Sequence, residues 1–516
     1  MKIYALLVSV SGMVLLAGCG GDDGSSRPPT GGSTPNLNVT LSQTSANVSV
    51  EEGASAKFGF TANYSGSTSS PIVADVAIGG RRYVLDGAPV QSGSSYTVNL
   101  STVPLAAGGA TTSEVQFRLC TTAACSTVYP GSTKTFTVNL DVKLGDWGMF
   151  QRNAAHTGYV AARYEPADFE DSWSWAPADG NTLEMSATRG SVFVTERQYF
   201  GTSVVHALRA SDGSIRWTRS LGEQAYVSGP SFSDNRVFIT SMQNSSDNNP
   251  QWVLDASSGT LLQQMQFGSQ WHDFAQPTVF DGSVYVAAGY YGNEVYNFDY
   301  VAGTLLWQAS GTGGNIWDGQ SVAADQDYVY YYSGAFMDVF DRSTGGKITS
   351  MADPNFEWRG YGWDGAPIIG TDGLVFGFSS PRMYNSETKL AGYSLPQRRQ
   401  IWISENSYTT APAFANGRLF AARHGLQLID AINQATGSVA FSVAFPDSET
   451  ANSNIVIASN LLFVSSASKT YAFDLSQTNY PIVWQRDGGA RWLAISPDNQ
   501  LLIGDDKHIA AVSLYK

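Results

Sequence analysis

Three short stretches of this chain set a flat aromatic ring beside a carboxylate: Trp271-His272-Asp273, Trp317-Asp318-Gly319 and Trp363-Asp364-Gly365. Arg491-Trp492 stands at a fourth comparable place. Each precedes an apolar stretch that reads as a strand. Aromatic faces next to carboxylates can hold a sugar, a peptide or a cation through stacking, cation–π attraction and charge-assisted hydrogen bonds. The plainer alternative is that the tryptophans fill a channel and the aspartates cap turns. Both readings stay open at this point.

The three cysteines carry a different chemistry. Lys2 and an apolar run from Ile3 to Leu16 lead into Leu16-Ala17-Gly18-Cys19. The run is short for a bilayer span and suits the core of an export signal. The tetrapeptide resembles the bacterial lipobox, which implies removal of residues 1–18 and lipidation of the Cys19 thiol. Residues 19–36 are rich in Gly, Ser, Pro and Asp and read as a tether. By likeness to lipoprotein sorting rules, Gly20 after the cysteine favours the outer membrane of a Gram-negative bacterium, with the periplasmic or surface side left open. Cys120 and Cys125 would then meet an oxidising compartment, so a disulfide between them is expected. No histidine lies near the pair in sequence, and no metal site is expected.

Other reactive patterns are missing. There is no G-x-S-x-G elbow, H-E-x-x-H helix or Walker loop, and no Rossmann glycine fingerprint placed after a strand. His156, His206, His272, His424 and His508 are scattered singly. A net charge of −14 without a basic stripe argues against nucleic acid, whose binding requires clustered Lys and Arg.

The elements that must position these residues are strands. Charged residues make up only 14% of the chain against 43% apolar, and the 52 glycines with many Asp-Gly and Ser-Gly pairs mark short strands and tight turns. An all-β chain is expected. Residues 37–144 alternate with period two, as in Val39 and Leu41, Phe58 and Phe60, and Val115, Phe117 and Leu119. Roughly seven strands there fit an immunoglobulin-like β-sandwich, read as a spacer.

From 145 to 516 the sequence repeats. Asp146-Trp147-Gly148-Met149-Phe150-Gln151-Arg152-Asn153-Ala154-Ala155-His156-Thr157-Gly158-Tyr159 opens the region, and strand signatures beginning at Met185, Gly229, Gln276, Gln320, Ala366, Ala411, Asn454 and Trp492 recur at intervals of about 40–50 residues. A second motif follows most of them, clearest in Ala207-Leu208-Arg209-Ala210-Ser211-Asp212-Gly213-Ser214-Ile215-Arg216-Trp217. In this motif Asp caps a turn, Gly takes positive φ and Trp packs between neighbours. The pattern resembles the pyrroloquinoline-quinone-like (quinoprotein-type) repeat family, which implies a β-propeller. Eight blades are expected, or seven if Gly362 to Ser404 is irregular, with the stretch 171–175 lending an outer strand to the last blade.

Quinone-dependent dehydrogenases of that family set an adjacent cysteine pair and a calcium ion against their cofactor. The repeats here contain no cysteine, so neither pyrroloquinoline quinone nor calcium is expected. Anchor and repeats together resemble the propeller lipoproteins of the outer-membrane β-barrel assembly machinery. That likeness implies a non-catalytic scaffold, monomeric apart from its complexes, that binds an envelope protein through the loop-rich face of the propeller. Trp271, Asp273, Trp317, Asp318, Trp363, Asp364, Arg491 and Trp492 are the candidate rim for a partner or ligand. A carbohydrate or small-ligand binding protein at this aromatic rim is the alternative, and a quinone-dependent oxidoreductase the third.

Overall fold

A computed structural model describes residues 35–243, 246–270, 274–289, 293–313, 321–357, 367–379, 388–446 and 449–516. Among these, the regular structure is β-strand apart from one short 3-10 turn, Pro166–Asp168.

The chain from Asn38 to Lys143 forms two sheets. In one, Asn38–Leu41, Lys57–Ser65 and Ser95–Thr102 lie side by side, and both Tyr83–Leu85 and Val90–Ser92 pair with Ser95–Thr102. In the other the order is Ser45–Glu51, Lys134–Lys143, Gly109–Cys120, Val73–Ile78, and the first pair runs parallel. Alternate residues of both sheets, among them Val98, Leu100, Phe117, Leu119, Phe136 and Val138, are fully buried in one shared core. The nine strands exceed the seven expected because Tyr83–Leu85 and Val90–Ser92 are each three residues long, too short to show alternation.

Eight further sheets follow, each built on one plan. Ser186–Thr188, Ser191–Arg197, Gly201–Arg209 and Ile215–Gln224 form an antiparallel meander from an inner to an outer strand. The last sheet has Trp492–Ser496, Gln500–Gly504 and Ile509–Ser513, and its outer strand is Glu170–Trp175, which pairs antiparallel with Ile509–Ser513. The first inner strand lies against the inner strand of the second sheet on one side and against Trp492–Ser496 of the last on the other.

Where the tryptophan recurs, it locks one sheet to the next. Trp217, Trp307 and Trp402 donate their indole N–H to the carbonyls of Ala256, Arg342 and Gln434 at 2.9, 2.9 and 2.8 Å. Their rings cover Gly259, Gly345 and Gly437, where φ is near +70° and a Cβ would lie 2.6–2.7 Å from ring carbons. Only glycine satisfies both the backbone and the ring. Trp173, on the strand from upstream, does the same to Gly213 and to the carbonyl of Ala210 at 2.7 Å.

The segment Trp147–Gly158 runs along the inner edge of the sheets and bonds to them in chain order. The N–H groups of Ala187, Phe232, Ala324, Ile369, Phe414 and Ile457, each the second residue of an inner strand, donate to the carbonyls of Trp147, Gly148, Ala154, Ala155, Thr157 and Gly158 at 2.5–3.0 Å. Val279, the equivalent residue of the third sheet, faces the Met149 sulfur at 3.5 Å. Inner strands lack a partner on their axial side, and a buried unpaired N–H costs about 1–3 kcal/mol, so this segment supplies what the ring by itself leaves open. It accepts strain to do so: Gln151, Arg152 and His156 all have positive φ.

The two-sheet unit, read from sequence as a spacer, is docked on this assembly. The Glu52 carboxylate accepts from both terminal nitrogens of Arg152 and from the N–H groups of Gly145 and Ala161 at 2.8 and 2.6 Å. Asn499 exchanges hydrogen bonds with the N–H and carbonyl of Gly108 at 2.7 and 2.8 Å, and Arg189 pairs with Asp141 at 3.0 Å. The Arg81 and Arg82 guanidiniums lie over the Tyr515 ring at 4.9 and 4.3 Å.

Burial opposes charge on Glu52, but Arg152 and the two N–H groups outweigh it and hold the carboxyl below its usual 4.5. A depressed carboxyl pKa contributes stability in full above the unfolded value, and that share is lost as pH falls through the folded value. Glu52→Ala is expected to lower unfolding free energy by about 3–5 kcal/mol, because it strands a buried guanidinium. Urea unfolding measures the loss, and acidification below about pH 4.5 should narrow the gap between wild type and variant.

Candidate functional site

The meander order defines two faces of the ring. Connections from inner to second strand, such as Arg189–Gly190 and Pro497–Asn499, lie on the face that carries the two-sheet unit. Connections from second to third strand, and those leading from an outer strand to the next inner strand, lie on the opposite face. Arg491 belongs to the latter kind, and Trp492 begins the inner strand that follows it. Trp271, Asp273, Trp317, Asp318, Trp363 and Asp364 fall outside the described residues, as does Cys19.

Arg491 and Trp492 are described. The Arg491 guanidinium pairs with Asp506 at 2.7 and 2.9 Å and lies 5.9 Å from the Trp492 ring, which leads into the last inner strand. Cys120 and Cys125 are joined by a disulfide at the far end of the two-sheet unit.

The bases of the three rim connections are held by buried polar groups. Tyr296, which donates its hydroxyl to the Glu294 carboxylate at 2.8 Å, lies 3.3 Å from the carbonyl of Gly268, just before the connection that bears Trp271. Asp338, with no exposed surface, accepts from the N–H and hydroxyl of Thr312 at 2.7 and 2.6 Å and from the hydroxyls of Ser333 and Ser350. Lys347 stands 3.7 Å away. Thr312 opens the connection that bears Trp317 and Asp318. Asp353 begins the one that bears Trp363 and Asp364, and it accepts from Tyr332 at 2.9 Å and Gln400 at 3.0 Å.

The same device recurs at Asp430, also without exposed surface, which takes two bonds from Arg423 at 2.8 Å and others from Tyr408 and Ser442 at 3.0 and 2.6 Å. Burial, reinforced by Asp430, pushes the Tyr408 hydroxyl well above its ordinary value, so it remains a donor. These carboxylates escaped the sequence reading, although two of them carry a signal: Met337-Asp338-Val339 and Ile429-Asp430-Ala431 set an acid inside an otherwise apolar strand.

The axis itself is filled by side chains. Gln151 donates to the carbonyls of Pro412 and Ile455 at 2.6 and 3.1 Å and accepts from Asn454 at 2.7 Å. Gln276 donates to Pro230 at 2.7 Å. The His156 ring reaches the Pro367 carbonyl at 2.7 Å, and complete burial depresses its pKa to about 4, leaving a neutral imidazole. Among the described residues this axial layer is amide and imidazole already bonded to backbone.

Inner-to-outer meanders locked by Trp on Gly define a pyrroloquinoline-quinone-like β-propeller. A family model described as "Outer membrane protein assembly factor BamB" matches residues 201–352 and 386–514, and the chain belongs to that family. No curated protein matches. The crystal structure of BamB from Moraxella catarrhalis is similar at 16% identity and a TM-score of 0.52, over 67% of this chain and 99% of that one. Dihydro-heme d1 dehydrogenase NirN in complex with DHE is similar at 12% identity and a TM-score of 0.43, over 60% of this chain and 66% of that one. At 16% identity the likeness to the Moraxella catarrhalis structure is one of fold.

Removing the acceptor that gathers Thr312, Ser333 and Ser350 should loosen one rim connection without opening the ring. Asp338→Ala is expected to cost about 3 kcal/mol and to raise proteolytic cleavage between residues 311 and 321 severalfold, read by timed digestion and mass spectrometry. Thr312→Val should show the same cleavage with a smaller loss of stability.

Proposed function

We propose that this chain is a non-catalytic envelope lipoprotein that uses the loop face of its propeller to bind another protein. Residues 1–18 are a signal peptide, Cys19 carries the lipid, and 19–36 form the tether. Residues 37–144 are an immunoglobulin-like domain, and 145–516 a propeller whose eight sheets are its blades, with Glu170–Trp175 completing the last. The surface engaged is the rim of Trp271, Asp273, Trp317, Asp318, Trp363, Asp364, Arg491 and Trp492. Family membership supports an envelope scaffold, with outer-membrane assembly proteins as the partner class.

One observation carries the reading furthest. The face opposite the loops carries the chain's own first domain over the last and first sheets, through Glu52, Gly108 and Asp141, and Gln151, His156 and Gln276 occupy the axis. The loop face has no domain of this chain docked on it among the described residues, and it is the surface assigned to a partner. Aromatic and arginine residues ringed by polar groups are the usual anchors of such contacts.

The test is capture of the lipidated protein from its native membrane after mild cross-linking. One envelope protein in near-stoichiometric amount is expected, with recovery falling at least about 10-fold in Trp317→Ala/Trp363→Ala at unchanged melting temperature. Equal recovery with the variant would move the contact off the rim. Recovery of no specific protein, together with glycan binding by the propeller, would replace this reading with that of a carbohydrate-binding protein.

A further inference from the structure

The outer face of one sheet of the first domain is hollowed into a trough of about 460 Å³. Three adjacent strands, Ser45–Glu51, Lys134–Lys143 and Gly109–Cys120, build its floor. Val48 and Leu140 turn into the domain core, so their neighbours along each strand face outward. Those outward residues meet in two rows: Asn47, Asn139 and Thr112 in one, Ser49, Asp141 and Ala110 in the other. Ser49 and Ala110 are short, and the low positions they leave on either side of Asp141 deepen the trough. The volume lies within the range of small-ligand sites, about 300–1,000 Å³.

The first row is ordered in advance. The Asn139 amide donates to Asn47 Oδ1 at 2.8 Å, and Asn139 Oδ1 accepts from the Thr112 hydroxyl at 2.9 Å. These bonds orient all three side chains and leave the Asn47 NH2, the Thr112 lone pairs and the Ser49 hydroxyl to meet another molecule. In the second row the Asp141 oxygens accept from one nitrogen of Arg189 at 3.0 and 3.3 Å. Each oxygen keeps a further lone pair, while the guanidinium balances the charge. The trough therefore offers both donors and acceptors at no net charge, and none of its lining residues is aromatic or cationic.

That lining selects a class of ligand. An anion would meet the Asp141 carboxylate, and a cation would find a single carboxylate that already has its partner. A lipid chain or an apolar ring would strip water from Asn47 and Ser49 and return no hydrogen bond. A hydroxyl both donates and accepts, so a ring bearing several of them can satisfy Asn47, Ser49, Thr112 and Asp141 together, with its C–H face on the methyl groups of Ala110 and Thr112. We infer that the trough is a binding site for a neutral oligosaccharide. It is separate from the propeller rim and gives the first domain a recognition role beside its docking. Arg189 is a positioning residue there, because the guanidinium that joins the ring to the first domain also holds the carboxylate that receives the sugar hydroxyls.

The test is titration calorimetry of the full-length protein in a sugar-free zwitterionic detergent. Maltohexaose, cellohexaose, laminarihexaose and chitohexaose are the neutral probes, and hexagalacturonate is the acidic one. At least one neutral probe is expected to bind, and binding of none overturns the inference. Asn47→Ala/Asn139→Ala should weaken that binding about 10-fold or more at unchanged melting temperature. Thr112→Val, which keeps the shape and removes one hydroxyl, should weaken it by a smaller factor. Tighter binding of hexagalacturonate than of any neutral probe would overturn the neutral class. Binding that survives Asn47→Ala/Asn139→Ala but is lost in Trp317→Ala/Trp363→Ala would put the sugar at the propeller rim and overturn the inference. The protein-scaffold reading is decided separately, by the cross-linking capture.

Discussion

The inner strands of the ring end in backbone N–H groups that face the axis, where neither a further strand nor bulk water completes them. The structure resolves this with a single stretch of chain. From Trp147 to Gly158 one segment passes its carbonyls, with one methionine sulfur, to the second residue of seven successive inner strands. Each bond is ordinary. Their sequence is not, because all seven require the sheets to be in place and in order. The positive φ values at Gln151, Arg152 and His156 are tolerated because so many partners over-determine them.

That segment also ties the first domain to the ring. Arg152 lies within it and meets Glu52, while Gly145 and Ala161 on either side donate to the same carboxylate. Ring closure and domain docking thus share a few side chains. The second device of closure is at the circumference, where Trp173 from an upstream strand covers Gly213 as the motif tryptophans cover their own glycines. The chain is joined near the axis and again at the rim, and neither joint leaves a long edge open to another molecule.

Where the ring is satisfied internally, the loop face is satisfied by side chains. Asp338, Asp353 and Asp430 sit beneath that face and gather hydroxyl, amide and guanidinium donors from adjoining strands. A buried carboxylate is costly unless fully bonded, and each of these is. The arrangement is repeated under several connections of one face and fixes where each of them starts.

All-β architecture and propeller repeats were legible in the sequence because both rest on local rules. Alternation, Asp-capped turns, glycines of positive φ and tryptophans at fixed spacing each involve a few neighbouring residues. The site was legible only as a guess at residue types. Trp317 and Asp318 could be named from their place before a strand, whereas Asp338, which holds that connection at Thr312, comes from the following repeat and has no local motif beyond an acid in an apolar strand. The role of Trp147–Gly158 was out of reach for the same reason: its partners are Ala187 through Ile457, spread over most of the chain. The sequence by itself determined which elements form, since propensity and pattern act at short range. Tertiary structure decided what the elements do to one another, namely that one segment completes the axis and that Glu52 fastens the first domain to it. Those outcomes depend on which unpaired groups are brought within bonding distance, and no periodicity records that.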